Sequence, residues 1–179
     1  MSESTGILLV GGASTRFGSP KALARLGGET LAERGWRLLG EAFGEKRLAV
    51  GKGEFELPFD VAVERAEPRA PITGVVAGLR VAASDVAVFL PVDCPLVTPA
   101  LLRELGRRVA VTQTGPLPGA YAKADLPELE RRLAGGDYSL RGVNPRLLVA
   151  DERLLVNVNT SAELSALEDD LAARHRDHA

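Results

Sequence analysis

Short, unbroken apolar runs alternate along this chain with longer amphipathic stretches, and that alternation limits its fold more than any other feature. "GILLV" (6–10), "RLAVG" (47–51), "FDVAVE" (59–64) and "DVAVFLPVD" (85–93) read as strands, the last most strongly. Between and after them, "ETLAERGWRLLGEAF" (29–43), "TGVVAGLRVAA" (73–83), "TPALLRELGRRV" (98–109), "DLPELERRLAGG" (125–136) and "TSAELSALEDDLAARH" (160–175) carry helical periodicity. In the first helix Leu31, Trp36, Leu38, Leu39 and Phe43 are available for an inner face. Thr98 followed by Pro99 is a helix-start signal, a capping hydroxyl before a residue whose missing N–H costs nothing at the first position. Shorter strands are expected at 109–113, 119–123, 147–151 ("LLVAD") and 154–159 ("LLVNVN"). Strands alternating with helices predict a mainly parallel sheet with helices on both faces. The continuous apolar strands agree, because a central parallel strand is buried on both sides. In such sheets ligands bind beyond the carboxyl ends of the strands. That rule sends the segment 11–21, which follows the first strand, and Asp93, at the end of the strand from Asp85, to one crevice.

Composition narrows the rest. A chain of 179 residues that is 45% hydrophobic suits one domain with a proper core, here taken as residues 1–179. Lys+Arg 22 against Asp+Glu 24 leaves a formal charge of -2, which gives no electrostatic footprint for nucleic acid or an anionic membrane surface. A small anionic ligand needs only a few placed cations. Cys94 is the only cysteine, so an internal disulfide is excluded and a reducing compartment is expected. "MSESTGILLVGG" lacks a basic start and a long apolar run, which argues against a signal peptide. No apolar stretch approaches the roughly 20 residues that span a bilayer. The expectation is a cytoplasmic protein. No cysteine/histidine cluster suggests zinc; His175 and His178 fall in a charged tail, and Trp36 reads as helix packing.

The segment after the first strand is too long for a plain turn. It fits neither G-x-G-x-x-G nor G-x-x-x-x-G-K-[ST], so neither a dinucleotide-binding dehydrogenase nor a P-loop NTPase is favoured. What stands is G-G-x-S-x-R-x-G-x-x-K, filled by Gly11, Gly12, Ser14, Arg16, Gly18 and Lys21. Glycines let the backbone approach a ligand and turn N–H groups inward as an anion nest. Arg16 can fork onto phosphate oxygens and Lys21 supplies a point charge at a second phosphate. A polyphosphate calls for this combination.

This loop resembles the signature of nucleotidyltransferases that make nucleoside-diphosphate sugars and dinucleotide-type cofactors, and most of all that of the molybdenum cofactor guanylyltransferases. Four further stretches resemble that family in order: "APITGVVAGL" (70–79), "FLPVDCPLVTPALLREL" (89–105), "GPLPGAYAKADLPELERRLAGGDYSLRG" (115–142) and "LLVNVNTSAELSALE" (154–168). The chain also departs from the pattern. Pro20 stands where Asp usually precedes the lysine, Phe17 where Met is usual, and Ala70 where a glycine is expected. A Pro-Lys pair is common in related cytidylyltransferases, whereas Gly11-Gly12 and the two closing asparagines favour guanine. A cytidylyltransferase or sugar-phosphate nucleotidyltransferase on the same fold, and a catalytically silent nucleotide-binding module, stay as alternatives.

The resemblance implies a Rossmann-like three-layer α/β sandwich of the nucleotide-diphospho-sugar transferase type. It also implies transfer of GMP from GTP to the terminal phosphate of molybdopterin, with release of pyrophosphate. GTP and molybdopterin would be its small-molecule substrates, and other cofactor-biosynthesis or acceptor proteins its protein partners. Magnesium is the implied cofactor, with Asp93 as its ligand. Lys21, Arg16 and Asp93 are the implied catalytic set. Leu9, Val10, Gly11, Gly12, Ser14, Gly18, Lys21, Glu64, Gly74 and Asp93 would line the nucleotide, with Glu64 at the base or ribose. Asn157 and Asn159, two apart, would share one face of a strand near the metal while Val156 and Val158 pack behind, and Arg141 would meet the anionic pterin. Structural alternatives stand beside these roles: a turn aspartate at 93, a solvated strand end at 64, a helix cap at Gly74, and turn residues at 157 and 159.

Overall fold

A computed structural model describes residues 3–11, 17 and 20–177, with side chains described through residue 173. The strands are β1 (Ser4–Leu9), β2 (Arg25–Leu26), β3 (Glu29–Thr30), β4 (Arg47–Gly51), β5 (Val61–Val63), β6 (Val86–Pro91), β7 (Val111–Thr112), β8 (Gly115–Ala122) and β9 (Leu147–Leu148). The helices are α1 (Leu31–Phe43), α2 (Pro71–Val81), α3 (Pro99–Arg108), α4 (Leu126–Ala134) and α5 (Ser161–Asp177). Seven strands form one sheet in the order β5-β4-β1-β6-β8-β7-β9, and β2 and β3 make a separate hairpin. Strands β5, β4, β1 and β6 run parallel, β8 is antiparallel to both β6 and β7, and β9 is parallel to β7. The mainly parallel α/β sheet expected from the pattern is therefore present, with an antiparallel insertion at β8.

Helices cover both faces, and the strands divide their side chains between them. Leu8 of β1 and Val86, Val88 and Leu90 of β6 join a core with Leu31, Leu38 and Leu39 of α1 and Leu101, Leu102 and Leu105 of α3. Ile7, Leu9, Ala87 and Phe89 point the other way, into a core with Ile72, Val75, Val76 and Leu79 of α2 and Leu129 of α4. This is the two-residue period of a strand buried on both sides.

Caps set the helix starts. At α1 the Thr30 hydroxyl accepts from Glu33 N at 3.1 Å and the Glu33 carboxylate accepts from Thr30 N at 2.8 Å, a reciprocal capping box. At α3 the Thr98 hydroxyl accepts from Leu101 N at 3.2 Å with Pro99 next, as the sequence signal requires. Trp36 stacks on Phe59 at 4.4 Å between ring centroids and carries the Arg47 guanidinium 4.6 Å above it, so its role is packing.

Three expectations need correction. Residues 154–159 are not a strand: Glu152–Leu155 form a 3-10 turn, and the Val158 N–H donates to the Asp93 carbonyl at 2.8 Å. The segment crosses the carboxyl end of β6 rather than pairing beside a strand, and in doing so it buries Val158 while leaving Val156 40% exposed. The 119–123 strand begins earlier, at Gly115. Helix α2 begins at Pro71, capped by Ala70, which puts Gly74 inside its first turns and not at its cap.

Candidate active site

The chain order turns around β1. It is flanked by β4 on one side and β6 on the other, so the connections leaving it diverge and open a crevice beyond the carboxyl ends. A cleft of about 940 Å³ lies there. Its floor comes from Leu9, Val10 and Gly11 after β1, one wall from Gly51, Lys52, Glu64, Thr73 and Gly74, and the opposite wall from Asp93, Cys94 and Asn157. Thr114–Leu117 and Tyr138–Arg141 extend the cleft past the Asp93 wall.

The backbone holds this floor firmly. Val10 N donates to Val50 O at 3.0 Å, Val92 N to Leu9 O at 3.3 Å, and Glu64 N to Gly51 O at 2.7 Å. Leu9 and Val10 are buried. A side chain at Gly74 would come within 3.0 Å of the buried Leu9 side chain, so this glycine lets α2 pack closely on β1. Gly12, Ser14, Arg16 and Gly18 lie outside the described residues.

At one end three elements converge on a single ammonium. Lys21, in the turn Lys21–Leu23, places Nζ 3.3 Å from Asp93 Oδ2 and 3.3 Å from Asn159 Oδ1. These partners are 72 and 138 residues away in sequence. Asn157 faces the same corner, where its Oδ1 accepts from the Cys94 thiol at 2.9 Å. Asn157 thus lines the cleft and Asn159 reaches Lys21 without the strand that the two-residue spacing suggested. Burial, and then the neighbouring Asp93 carboxylate, push the Cys94 thiol far above its ordinary range. Cys94 is therefore a protonated hydrogen-bond donor, unsuited to nucleophilic attack.

Asp93 with the amide oxygens nearby offers hard oxygen donors of the kind magnesium or manganese takes. Among the described residues no group of three or more His, Cys, Asp and Glu is arranged to enclose a metal. One carboxylate whose remaining positions fall to phosphate oxygens and water suits a cation that arrives with a nucleotide.

The other end holds a pair that the sequence analysis missed in part. Glu64 is 8% exposed, which removes the solvated-strand-end alternative. Its Oε2 sits 2.9 Å from Lys52 Nζ and accepts from the Thr73 hydroxyl at 3.0 Å, while its Oε1 accepts from Ala66 N. Lys52 was passed over inside the loop "GKGEFELP". The signal that could have found it was its place, one residue past the end of a strand adjacent to β1. Arg141 lies on the extended wall with an exposed side chain; its N–H donates to the Ser139 hydroxyl at 3.1 Å and its carbonyl accepts from Arg132 at 2.9 Å. It lines the same cleft as Lys21 and Asp93.

Residues 6–146 match the family model described as the MobA-like NTP transferase domain. The chain belongs to that family. A probable molybdenum cofactor guanylyltransferase of Bacillus subtilis (strain 168) is 29% identical over 198 residues, covering 96% of this chain and 98% of the relative. Among solved structures, molybdopterin-guanine dinucleotide biosynthesis protein A from Archaeoglobus fulgidus superposes with a TM-score of 0.76 at 22% identity, covering 94% of this chain and 99% of that one. A Mycobacterium tuberculosis H37Rv protein crystallised in complex with manganese matches with a TM-score of 0.65 at 21% identity, covering 94% and 99%. At these identities the two structures speak for the fold alone. The family membership makes this protein a nucleotidyltransferase.

Proposed function

We propose that this protein transfers GMP from GTP to the terminal phosphate of molybdopterin, as one nucleotidyltransferase domain spanning residues 1–179. The observation that carries the site assignment is the convergence of Asp93 Oδ2 and Asn159 Oδ1 on Lys21 Nζ at the mouth of a glycine-floored cleft. An oxygen of the acceptor phosphate attacks the α-phosphorus, the bond from that phosphorus to the bridging oxygen breaks, and pyrophosphate leaves with the bond electrons. Little covalent chemistry falls to the protein, so positioning and charge neutralisation carry the rate.

Lys21 exchanges part of its contact with Asp93 for phosphate oxygens of the nucleotide and offsets the charge that builds on departing pyrophosphate. Arg16, from the same sequence motif, supplies a guanidinium, a group able to fork onto phosphate oxygens. Asp93, with Asn157 and Asn159 beside it, would hold a divalent cation, for which magnesium is our reading, since a carboxylate with amide oxygens is the donor set such an ion takes. When bound, that ion polarises the α-phosphate and helps neutralise the leaving group. The wall reaching to Tyr138 and Arg141 receives the anionic acceptor. No helix among the described residues is long and apolar enough to cross a membrane, and the single cysteine is a buried free thiol, in keeping with a cytoplasmic enzyme.

The test is calorimetric titration of GTP and of CTP, each with magnesium, into wild type and Asp93→Ala. Magnesium-dependent GTP binding that weakens in the variant is the expected result. A preference for CTP would move the reading to cytidylyl transfer, and binding indifferent to Asp93 would overturn the metal assignment.

A further inference from the structure

The geometry points to Lys52 as a base-reading residue that donates from Nζ to the exocyclic carbonyl oxygen of guanine, beside the ring N–H accepted by Glu64. This rests on the guanylyl-transfer reading. Strand order sets the distance scale: Glu64 follows β5 and Asp93 follows β6, three strand positions apart in β5-β4-β1-β6. At the usual strand spacing that is roughly 14 Å, and Lys52, after β4, is roughly 10 Å from Asp93. With the phosphates at the Lys21–Asp93 corner, the base of the same nucleotide reaches the Lys52–Glu64 wall.

The hydrogen-bond inventory of that wall is nearly used up, and what is left is specific. An ammonium has three donors; Lys52 gives one to Ala66 O at 2.5 Å and stands as an ion pair 2.9 Å from Glu64 Oε2. A carboxylate has about four acceptor sites; Glu64 uses one on Oε1 for Ala66 N and two on Oε2 for Lys52 and Thr73. Among the described residues, Lys52 and Glu64 each keep donor or acceptor capacity beyond these contacts, and both line the cleft. The two side chains are only 12% and 7% exposed. Burying such a pair costs desolvation that well-packed apolar residues would avoid, so stability alone gives little reason for it. Nor is Lys52 placed for the phosphates, which this reading sets at the Lys21–Asp93 corner two strand positions away. A neutral partner with adjacent donor and acceptor fits, and the N–H/C=O edge of guanine is such a partner.

The probe is 6-thioguanosine triphosphate, which keeps the ring N–H of GTP but replaces the exocyclic oxygen by sulfur, a poor acceptor. Calorimetry with magnesium is run on wild type, Lys52→Met and Lys52→Arg. Wild type should favour GTP over the thio analogue by about 10-fold, the loss of one hydrogen bond from a charged donor. Lys52→Met should lose that preference through weaker GTP binding, with binding of the analogue little changed, and Lys52→Arg should retain most of it. Because Lys52→Met leaves the Glu64 carboxylate buried without its cation, Lys52→Met/Glu64→Gln is measured alongside, with thermal melting of both. The preference must be lost in whichever of these variants folds. A full preference in the folded variants, or none in wild type, would overturn the role of Lys52. Failure of wild type to bind either nucleotide would instead bring down the guanylyl reading on which it rests.

Discussion

Lys21 separates a functional ion pair from a structural one, and Lys21→Met tests which it is. The substitution keeps the stem of the side chain and removes the ammonium that sits 3.3 Å from both Asp93 Oδ2 and Asn159 Oδ1. Its side chain and that of Asp93 are 17% and 26% exposed, so water already competes for both. A pair with solvent access and long contacts contributes about 1 kcal/mol or less to folding. For a chain of this size that is a shift of about 2–4 °C in melting temperature. The transition state asks far more of the same group. Removing one preorganised donor from developing charge lowers turnover by about 10²–10³-fold. The assay is kcat/KM for pyrophosphate release from GTP with molybdopterin and magnesium, beside a thermal melt of the same preparation. The expected outcome is a large loss of turnover on a nearly unchanged melt. Turnover within about threefold of wild type would refute the role, and a fall of more than about 8 °C in melting temperature would show that the lysine holds the fold.

Two further predictions concern stability. Asn144, 9% exposed, donates from Nδ2 to Val109 O at 2.7 Å and to Ala120 O at 2.8 Å and accepts from Arg146 N at 3.0 Å. It ties the segment leading to β9 onto the ends of α3 and β8, so Asn144→Ala should cost about 2–4 kcal/mol in urea unfolding, and a loss below about 0.5 kcal/mol would contradict the accounting. Acid should also weaken the fold in a defined window. Hydrogen bonds from Arg107 and Arg108 hold Glu104 down at about 2, and those from Arg153 do the same for Asp151, also to about 2. Hydrogen bonding by Arg37 lowers Glu29, and by Arg132 and Arg131 lowers Glu128. These groups bind fewer protons folded than unfolded, so their contribution is complete above their ordinary values of 4.5 and 3.8 and is lost as pH falls from there toward 2. Urea midpoints taken stepwise should fall through that window, less steeply in high salt because the pairs are exposed; a flat profile would refute it.

How far the sequence could be read depended on whether a feature was local. Periodicity and caps are local, so β1, β4, β6, α1 and α3 were legible to within a few residues, with Thr98-Pro99 marking a start and Thr30-Glu33 completing another. Gly11 and Lys21, singled out by the spacing of one short segment, both line the cleft. That Lys21 and Asp93 meet followed from the rule that carboxyl ends share a crevice, whereas Asn159 was expected there only through the family resemblance, and the 154–159 segment arrives by crossing β6 and not as a strand. Its alternating valines look like a strand because bonding of Val158 N to the Asp93 carbonyl is a tertiary choice, invisible in composition. The β2–β3 hairpin and the antiparallel β8 were hidden for a similar reason: pairing partners, not intrinsic pattern, define them. Lys52 was hidden most completely. A lysine in a glycine-flanked loop reads as solvated until the strand order brings Glu64 against it.

The central claim is transfer of GMP to molybdopterin, and the most direct measurement is product formation. Purified protein is incubated with GTP labelled at the α-phosphate, magnesium and molybdopterin, and followed for label in the pterin product and for free pyrophosphate. We predict that both appear in equal amounts, that neither appears with CTP at a comparable rate, and that chelation of the metal abolishes both. Pyrophosphate without labelled pterin, or faster transfer from CTP than from GTP, would contradict the account.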